Sequence, residues 1–352
     1  MTTPASNTGS RLSYLLPVLL LLAFGLSGIV GRDLWTPDEP RVAAISLEMS
    51  RTGDFVIPRL AGEPFVEEPP LYYAAAAMML ELAGSTIGNT GAIRLTSILW
   101  GLGSLVVCFL LARRFFPARQ ALRASLMLAT MLGFIENSHW IRVDAALLFF
   151  VTAAMWCFAE SLSGNRRWFA VPAGVFMAGA FLVKGVVGPG MIALGWLALF
   201  AARAWRLYGE EGGIAGGGIA PGKQIPAWRR AFSGIGPHIV PHIVCVLTFL
   251  GIAGAWILLF QARATPELWH EWFWINQVGR ALGTAPQLGH LKQGHPFYYF
   301  KTIIIYALPW TPLIGLWAWR LVRDLYARRT IVPVNLFLLV WSIAVVAVLT
   351  IS

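Results

Sequence analysis

Leu12-Ser-Tyr-Leu-Leu-Pro-Val-Leu-Leu-Leu-Leu-Ala-Phe-Gly-Leu-Ser-Gly-Ile-Val30 carries no charge and leads directly into Gly31-Arg-Asp-Leu-Trp-Thr-Pro-Asp38-Glu39-Pro-Arg41. A helix needs roughly 20 mostly apolar residues to cross the hydrocarbon core, so the first stretch reads as a span and the second as its exit into water. The run is long for a signal peptide and lacks a small-x-small cleavage site, which points to an uncleaved anchor. The composition extends that reading to the whole chain. Hydrophobic residues make up 57% and charged ones only 12%, outside the range of a soluble domain and typical of a polytopic membrane protein.

The net charge of +10 invites a nucleic-acid reading, but the arginines lie in short loops between apolar runs, where the positive-inside rule accounts for them. No basic patch interleaves with aromatics as strand binding requires, so nucleic acid is excluded as a partner. Arg113, Arg114, Arg119 and Arg123 mark one cytoplasmic loop and Arg166 and Arg167 a second. Arg203, Arg206, Lys223, Arg229 and Arg230 mark a third, and Arg320, Arg323, Arg328 and Arg329 a fourth. The expected architecture is an all-α polytopic bundle of about nine spans. These fall near 12–30, 94–112, 122–139, 143–161, 168–184, 186–203, 238–261, 298–319 and 332–350. Residues 71–87 are apolar too, but making them a span would move the Arg113 loop to the outer side. They are read as an interfacial helix within an outer loop at 31–93. A single transmembrane domain over 1–352 results, with a Gly-rich cytoplasmic linker at 205–237 and a second outer loop at 262–297.

This threading brings distant polar groups to one face. Asp38 and Glu39 follow Pro37 at a helix start, where acidic side chains also favour the helix dipole. Glu67 and Glu68 precede Pro69 and Pro70, and their chemistry is open between metal ligands, an acid/base pair and solvated loop charges. Arg142 and Asp144 lie at the outer end of an apolar helix, and Lys184 sits in a Gly-rich break between spans. Ionisable groups at membrane depth are costly and tend to mark function. Other candidates fall away. Gly217–Lys223 mimics a phosphate loop but continues with Gln224 instead of Ser or Thr, and no strand precedes it. His238 and His242 have metal-like spacing but too few partners on the cytoplasmic side. Cys108, Cys157 and Cys245 fall inside apolar spans and read as packing. Trp269, Trp272, Phe273 and Trp274 read as an interfacial aromatic belt.

Taken in order, these motifs resemble the polytopic GT-C glycosyltransferases that use polyprenyl-phosphate-linked sugars, a group that includes the bacterial 4-amino-4-deoxy-L-arabinose (lipid A) transferases and the protein O-mannosyltransferases. Pro37-Asp38-Glu39-Pro-Arg41 looks like the family's P-D-E-x-R. Arg59 with Phe65-Val-Glu67-Glu68-Pro-Pro-Leu-Tyr72-Tyr73 looks like its F-x-E-K-P-P segment. Arg142-Val-Asp144 looks like its second acidic motif, and Phe181-Leu-Val-Lys184-Gly185 like F-L-x-K-G. Asn276-Gln277-Val-Gly-Arg280 and then His295-Pro-Phe-Tyr-Tyr take the place of E-H-I-x-R-F and H-x-P-F-x-Y-Y. Two departures stand out. Glu68 occupies the position of a lysine that the family uses for donor phosphate, and Gln277 that of a metal-ligating histidine.

The resemblance implies a glycosyltransferase of the bacterial inner membrane, with its site facing the periplasm. It would move a sugar from a polyprenyl-phosphate donor to a lipid or protein acceptor. Asp38, Asp144 and Glu39 are the implied catalytic carboxylates, and Arg41, Arg59, Tyr72, Lys184, Arg280 and His295 the implied substrate and phosphate binders. Glu67 is the residue left to ligate a divalent metal, the one cofactor implied. Relatives carry further spans and a soluble C-terminal region, which is expected to lie outside this chain. Two other classes remain: a lipid-linked sugar flippase or transporter, and a non-catalytic lipid-binding relative. A transporter predicts inverted repeats and carboxylates at mid-bilayer, and neither is visible.

Overall fold

The computed structural model describes residues 26–162, 164–211, 236–279, 282, 284, 298–327 and 332–351. Most of the expected first span and of the cytoplasmic linker lies outside these residues, as does the second outer loop past Gly279, apart from Leu282 and Thr284. The described chain is almost entirely helical: α1 Asp38–Thr52, α2 Leu71–Arg113, α3 Ala118–Ala129, α4 Leu132–His139, α5 Asp144–Ser161, α6 Ala170–Lys184, α7 Val187–Glu211, α8 Gly236–Arg263, α9 Pro266–His270, α10 Tyr298–Tyr306, α11 Thr311–Tyr326 and α12 Pro333–Ile351. A two-stranded hairpin, Arg59–Leu60 with Glu63–Pro64, a 3-10 segment, Gly164–Phe169, and a π-helical segment, Glu271–Gly279, complete it.

Helix α1 starts on Asp38 and Glu39, whose charges suit the positive helix end. It stops at Gly53, which takes φ +67° and donates its N–H to the Met49 carbonyl at 2.9 Å. Val42, Ile45, Ser46 and Met49 form its buried stripe and pack on Tyr72, Tyr73, Ala76 and Ala77 of α2. The loop after α1 is pinned from across the molecule. Asp54 accepts the Val56 N–H at 3.0 Å and pairs with Arg263 at 3.2 Å, while the Trp256 indole donates to the Val56 carbonyl.

The expected boundary after residue 87 falls at Gly88 (φ 77°, ψ 159°), a kink at which two helices join within α2. That conformation is essentially restricted to glycine, so the residue sets the bend. The expected span 122–139 is two helices, α3 and α4. Met131 turns extended between them, and the Thr130 hydroxyl donates to the Leu126 and Met127 carbonyls that end α3. The expected span 298–319 is likewise split into α10 and α11, bent by 116° around Pro309. The two breaks satisfy each other: the Leu132 N–H donates to the Leu308 carbonyl at 2.9 Å and the Trp310 indole to Thr130 Oγ1 at 2.8 Å. Backbone broken at membrane depth needs such partners within the protein. Helix α7, expected to close near residue 203, continues to Glu211.

Among the described residues, four helices are each long and apolar enough to cross a membrane, or five if α10 and α11 count as one span. Helices α2, α5 and α6 pack against one another in turn, and α8 packs along α6 while leaving much of its apolar surface exposed. Close approach depends on small residues, as is common between membrane helices. A Cβ on Gly174 of α6 would lie 2.3 Å from the Cys245 carbonyl oxygen of α8. A second apolar cluster, built from Phe181, Trp256, Phe260 and Trp272, holds the π-helical segment against α6 and α8. Trp272, expected in an interfacial belt, is therefore core, whereas Trp274 is exposed.

Candidate active site

Asp38 is held from both sides. Its Oδ1 accepts from Arg41 Nη2 at 3.2 Å and its Oδ2 pairs with Arg142 Nη2 at 3.1 Å, yet its side chain keeps 34% of its accessible surface. Arg41 also faces Glu67 at 3.8 Å, so the Asp38 motif and the Glu67–Glu68 segment meet there. Arg142 lies over the Trp140 ring at 4.4 Å and pairs with Glu136 at 3.1 Å. Glu136 in turn accepts from the Tyr306 hydroxyl at 3.1 Å. A charged chain thus runs from Arg41 through Asp38 and Arg142 to Glu136, and Tyr306 anchors its end on α10.

Two residues after Arg142, Asp144 opens α5 and forms a hydrogen-bonded ion pair with Lys184, the last residue of α6. Asp144 also lines a cavity of about 360 Å³ with Asn137, Ser138, Leu148, Ile303 and Tyr306. Tyr306 therefore touches both the cavity and the Glu136–Arg142 pair. Behind Lys184, the Val186 N–H donates to Gln277 Oε1 at 3.0 Å, while Asn276 Nδ2 donates to the Val66 carbonyl beside Glu67 at 3.1 Å.

Several expected site residues stand elsewhere. Glu39 does not join Asp38 in the open cluster, because it is fully buried. Arg94 Nε and Nη2, Arg32 Nη2 and the backbone N–H groups of Trp35 and Ile141 all donate to its carboxylate. Burial works to raise its pKa, but the hydrogen bonds from Arg94, Trp35 and Ile141 outweigh that, and the carboxyl sits below its ordinary value. Tyr72, expected at the substrate, is fully buried, with its hydroxyl 2.5 Å from Ser97 Oγ. Its neighbour Tyr73 faces the acidic loop instead and donates to Glu68 at 3.1 Å. Arg59 lies on the hairpin and donates to the Gly62 carbonyl at 3.1 Å. Arg280 and His295 lie outside the described residues.

The implied metal fits poorly. Among the described residues no group of three or more His, Cys, Asp or Glu could hold one. Glu67 faces a guanidinium, and the amide oxygen of Gln277 already serves a backbone N–H. Zinc sites are built from thiolate, imidazole and carboxylate donors. Arg94 was the main omission of the sequence reading. It is the one charge between Glu81 and Arg113 in an otherwise apolar run, and that isolation is the available signal for a buried partner.

The helical bundle, with charged motifs gathered at the ends of its helices, has the GT-C fold of polytopic membrane glycosyltransferases. The family described as dolichyl-phosphate-mannose-protein mannosyltransferase matches residues 67–216. An undecaprenyl phosphate-alpha-4-amino-4-deoxy-L-arabinose arabinosyl transferase of Proteus mirabilis is 25% identical over 345 residues, covering 96% of this chain and 55% of that protein. The corresponding transferase of Pseudomonas aeruginosa is 27% identical over 343 residues, covering 95% and 55%. The crystal structure of ArnT from Cupriavidus metallidurans bound to undecaprenyl phosphate superposes with a TM-score of 0.74 at 26% identity, over 99% of this chain and 56% of that one. The chain therefore spans about half the length of the curated relatives it matches.

Proposed function

We propose that the chain is a glycosyltransferase that moves a sugar from a polyprenyl-phosphate donor to a lipid or protein acceptor at the periplasmic face of the bacterial inner membrane. The observation that carries this is Asp38, a half-open carboxylate oriented by Arg41 and Arg142 within a cluster of charges at the ends of otherwise apolar helices. Relatives named as undecaprenyl phosphate-linked aminoarabinose transferases, and a similar structure holding undecaprenyl phosphate, support the donor class.

In the reaction the bond between the anomeric carbon and the phosphate oxygen breaks, and the polyprenyl phosphate leaves with the electron pair. The acceptor oxygen forms the new bond to carbon. A hydroxyl acceptor loses its proton to Asp38, whose two arginines fix the carboxylate's direction. An acceptor already ionised needs no base, and Asp38 then stabilises positive charge developing on the sugar ring. A phosphate leaving group gains most from cations, a part for Lys184, Arg41 and, outside the described residues, Arg280 and His295. Asp144 holds Lys184 in place. Glu39 becomes a frame residue under this reading, and no step is routed through a metal. The transporter alternative is weakened because Asp38 and Asp144 each open a helix and do not sit mid-span.

The test is mass spectrometry of lipid A, surface glycans and periplasmic proteins from a deletion strain and its complemented parent. One glycoform should vanish on deletion and return on complementation, and identical spectra would remove the proposal.

A further inference from the structure

Asn276 and Gln277 are adjacent, each 5% exposed, and bonded to different limbs of the site. Successive side chains splay apart around a helix, so neighbours can reach in two directions. Asn276 Nδ2 donates to the Val66 carbonyl, which leads directly into Glu67 and Glu68. Gln277 Oε1 accepts from the Val186 N–H, which closes the turn after Lys184. Gly185 at the centre of that turn has φ +59°, and a Cβ there would lie 1.9 Å from Gln277 Oε1, so the amide fills the space that glycine leaves. The base is rigid, because Trp272, on the same π-helical segment, is packed among Trp256, Phe260 and Trp269. Asn276 and Gln277 also lie just before Arg280 in the chain.

Resting on the reading of this site as a polyprenyl-phosphate sugar transferase, we infer that Asn276 and Gln277 form a clasp that registers the Lys184 turn against the Glu67–Glu68 loop, and that these hydrogen bonds do the positioning for which a shared divalent metal is unsuited here. The donor chemistry supports this. Glu67 already faces Arg41, and Gln277 offers only a neutral amide oxygen, one lone pair of which accepts from the Val186 N–H, where a metal would want an imidazole or a carboxylate. Gln277 acts through Lys184 and is a positioning residue.

The clasp is tested on the full-length protein purified in detergent, with undecaprenyl phosphate as the binding probe and transfer assayed separately. Gln277→Met keeps length but removes the amide acceptor, and Gln277→Glu keeps an acceptor oxygen. The expected result is that Gln277→Met weakens undecaprenyl phosphate binding about tenfold. Its ligand-free melting midpoint should fall by no more than a few degrees, the cost of leaving the Val186 N–H without its acceptor, and Gln277→Glu should recover most of the affinity. Wild-type protein treated with EDTA should bind and transfer as before and carry no stoichiometric divalent metal by elemental analysis. Unchanged binding in Gln277→Met, equal impairment in Gln277→Glu, or an essential stoichiometric metal would each overturn the inference. The metal measurement decides its part even if a variant does not fold. Wild type that binds the lipid but never transfers would count against the proposed reaction alone, because the binding comparison still judges the clasp.

Discussion

At Asp38 the carboxylate faces two guanidinium groups and stays partly open to solvent, whereas Glu39, one residue on, is sealed beneath Arg94. Buried ion pairs are worth little relative to an apolar replacement, but removing one partner strands the other. Glu39→Gln should therefore destabilise the protein by about 3–5 kcal/mol, read from unfolding in detergent. The pH dependence has a definite sign. Because the folded carboxyl titrates below its ordinary value of 4.5, its contribution is complete above that value. It is lost as pH falls through the folded pKa, and the Gln variant should lack that portion of the acid-induced loss. Asp38, Asp144 and Lys184 were legible in the sequence because each is an ionisable group at the edge of an apolar run. The burial of Glu39 was not, since its partner Arg94 lies 55 residues away and only the fold joins them. Tyr72 and Tyr73 show the same limit: helical geometry sends one to Ser97 and the other to Glu68, and their adjacency in sequence hides the difference.

Helices fix how these residues are aimed, and the breaks in them matter as much as the spans. The bend at Gly88 separates the arm 71–87, whose first turn carries Tyr73 beside Glu68, from the rest of α2. Nothing lies within 4 Å of a Cβ built on Gly88, so replacing it costs backbone strain and not collision. Gly88→Ala should lose about 1–3 kcal/mol, measured as a lower thermal midpoint. The breaks at Thr130 and Pro309 escaped a reading based on hydropathy because both sides of each break are apolar. Their consequence is local to the site, since α10 is turned so that Tyr306 reaches Glu136. Tyr306→Phe should leave the fold intact and lower transfer several-fold, seen as reduced kcat with undecaprenyl-linked donor, because Arg142 loses one of the supports of its partner.

Across the whole molecule the apolar helices carry the charged motifs to a common cluster, and close helix contact keeps them there. The all-α membrane class followed from composition and charge asymmetry, while the bends within the expected spans did not, because short and bent helices share the hydropathy of straight ones. Gly174 shows how tightly α6 and α8 approach: adding a methyl group would push against the Cys245 backbone. Gly174→Ala should cost about 1–3 kcal/mol, and Gly174→Leu more, tracked by thermal unfolding in detergent. Since α6 ends on Lys184, either change should also weaken lipid-phosphate binding. The proposed transfer turns on the carboxylate at the start of α1, and that role has a direct readout. It is tested most directly by the transfer rate of purified Asp38→Asn with a polyprenyl-phosphate-linked sugar, alongside its melting midpoint and lipid-phosphate affinity. The rate should fall at least about a hundredfold with both other properties retained. Turnover close to wild type in a folded, lipid-binding Asp38→Asn protein would contradict it.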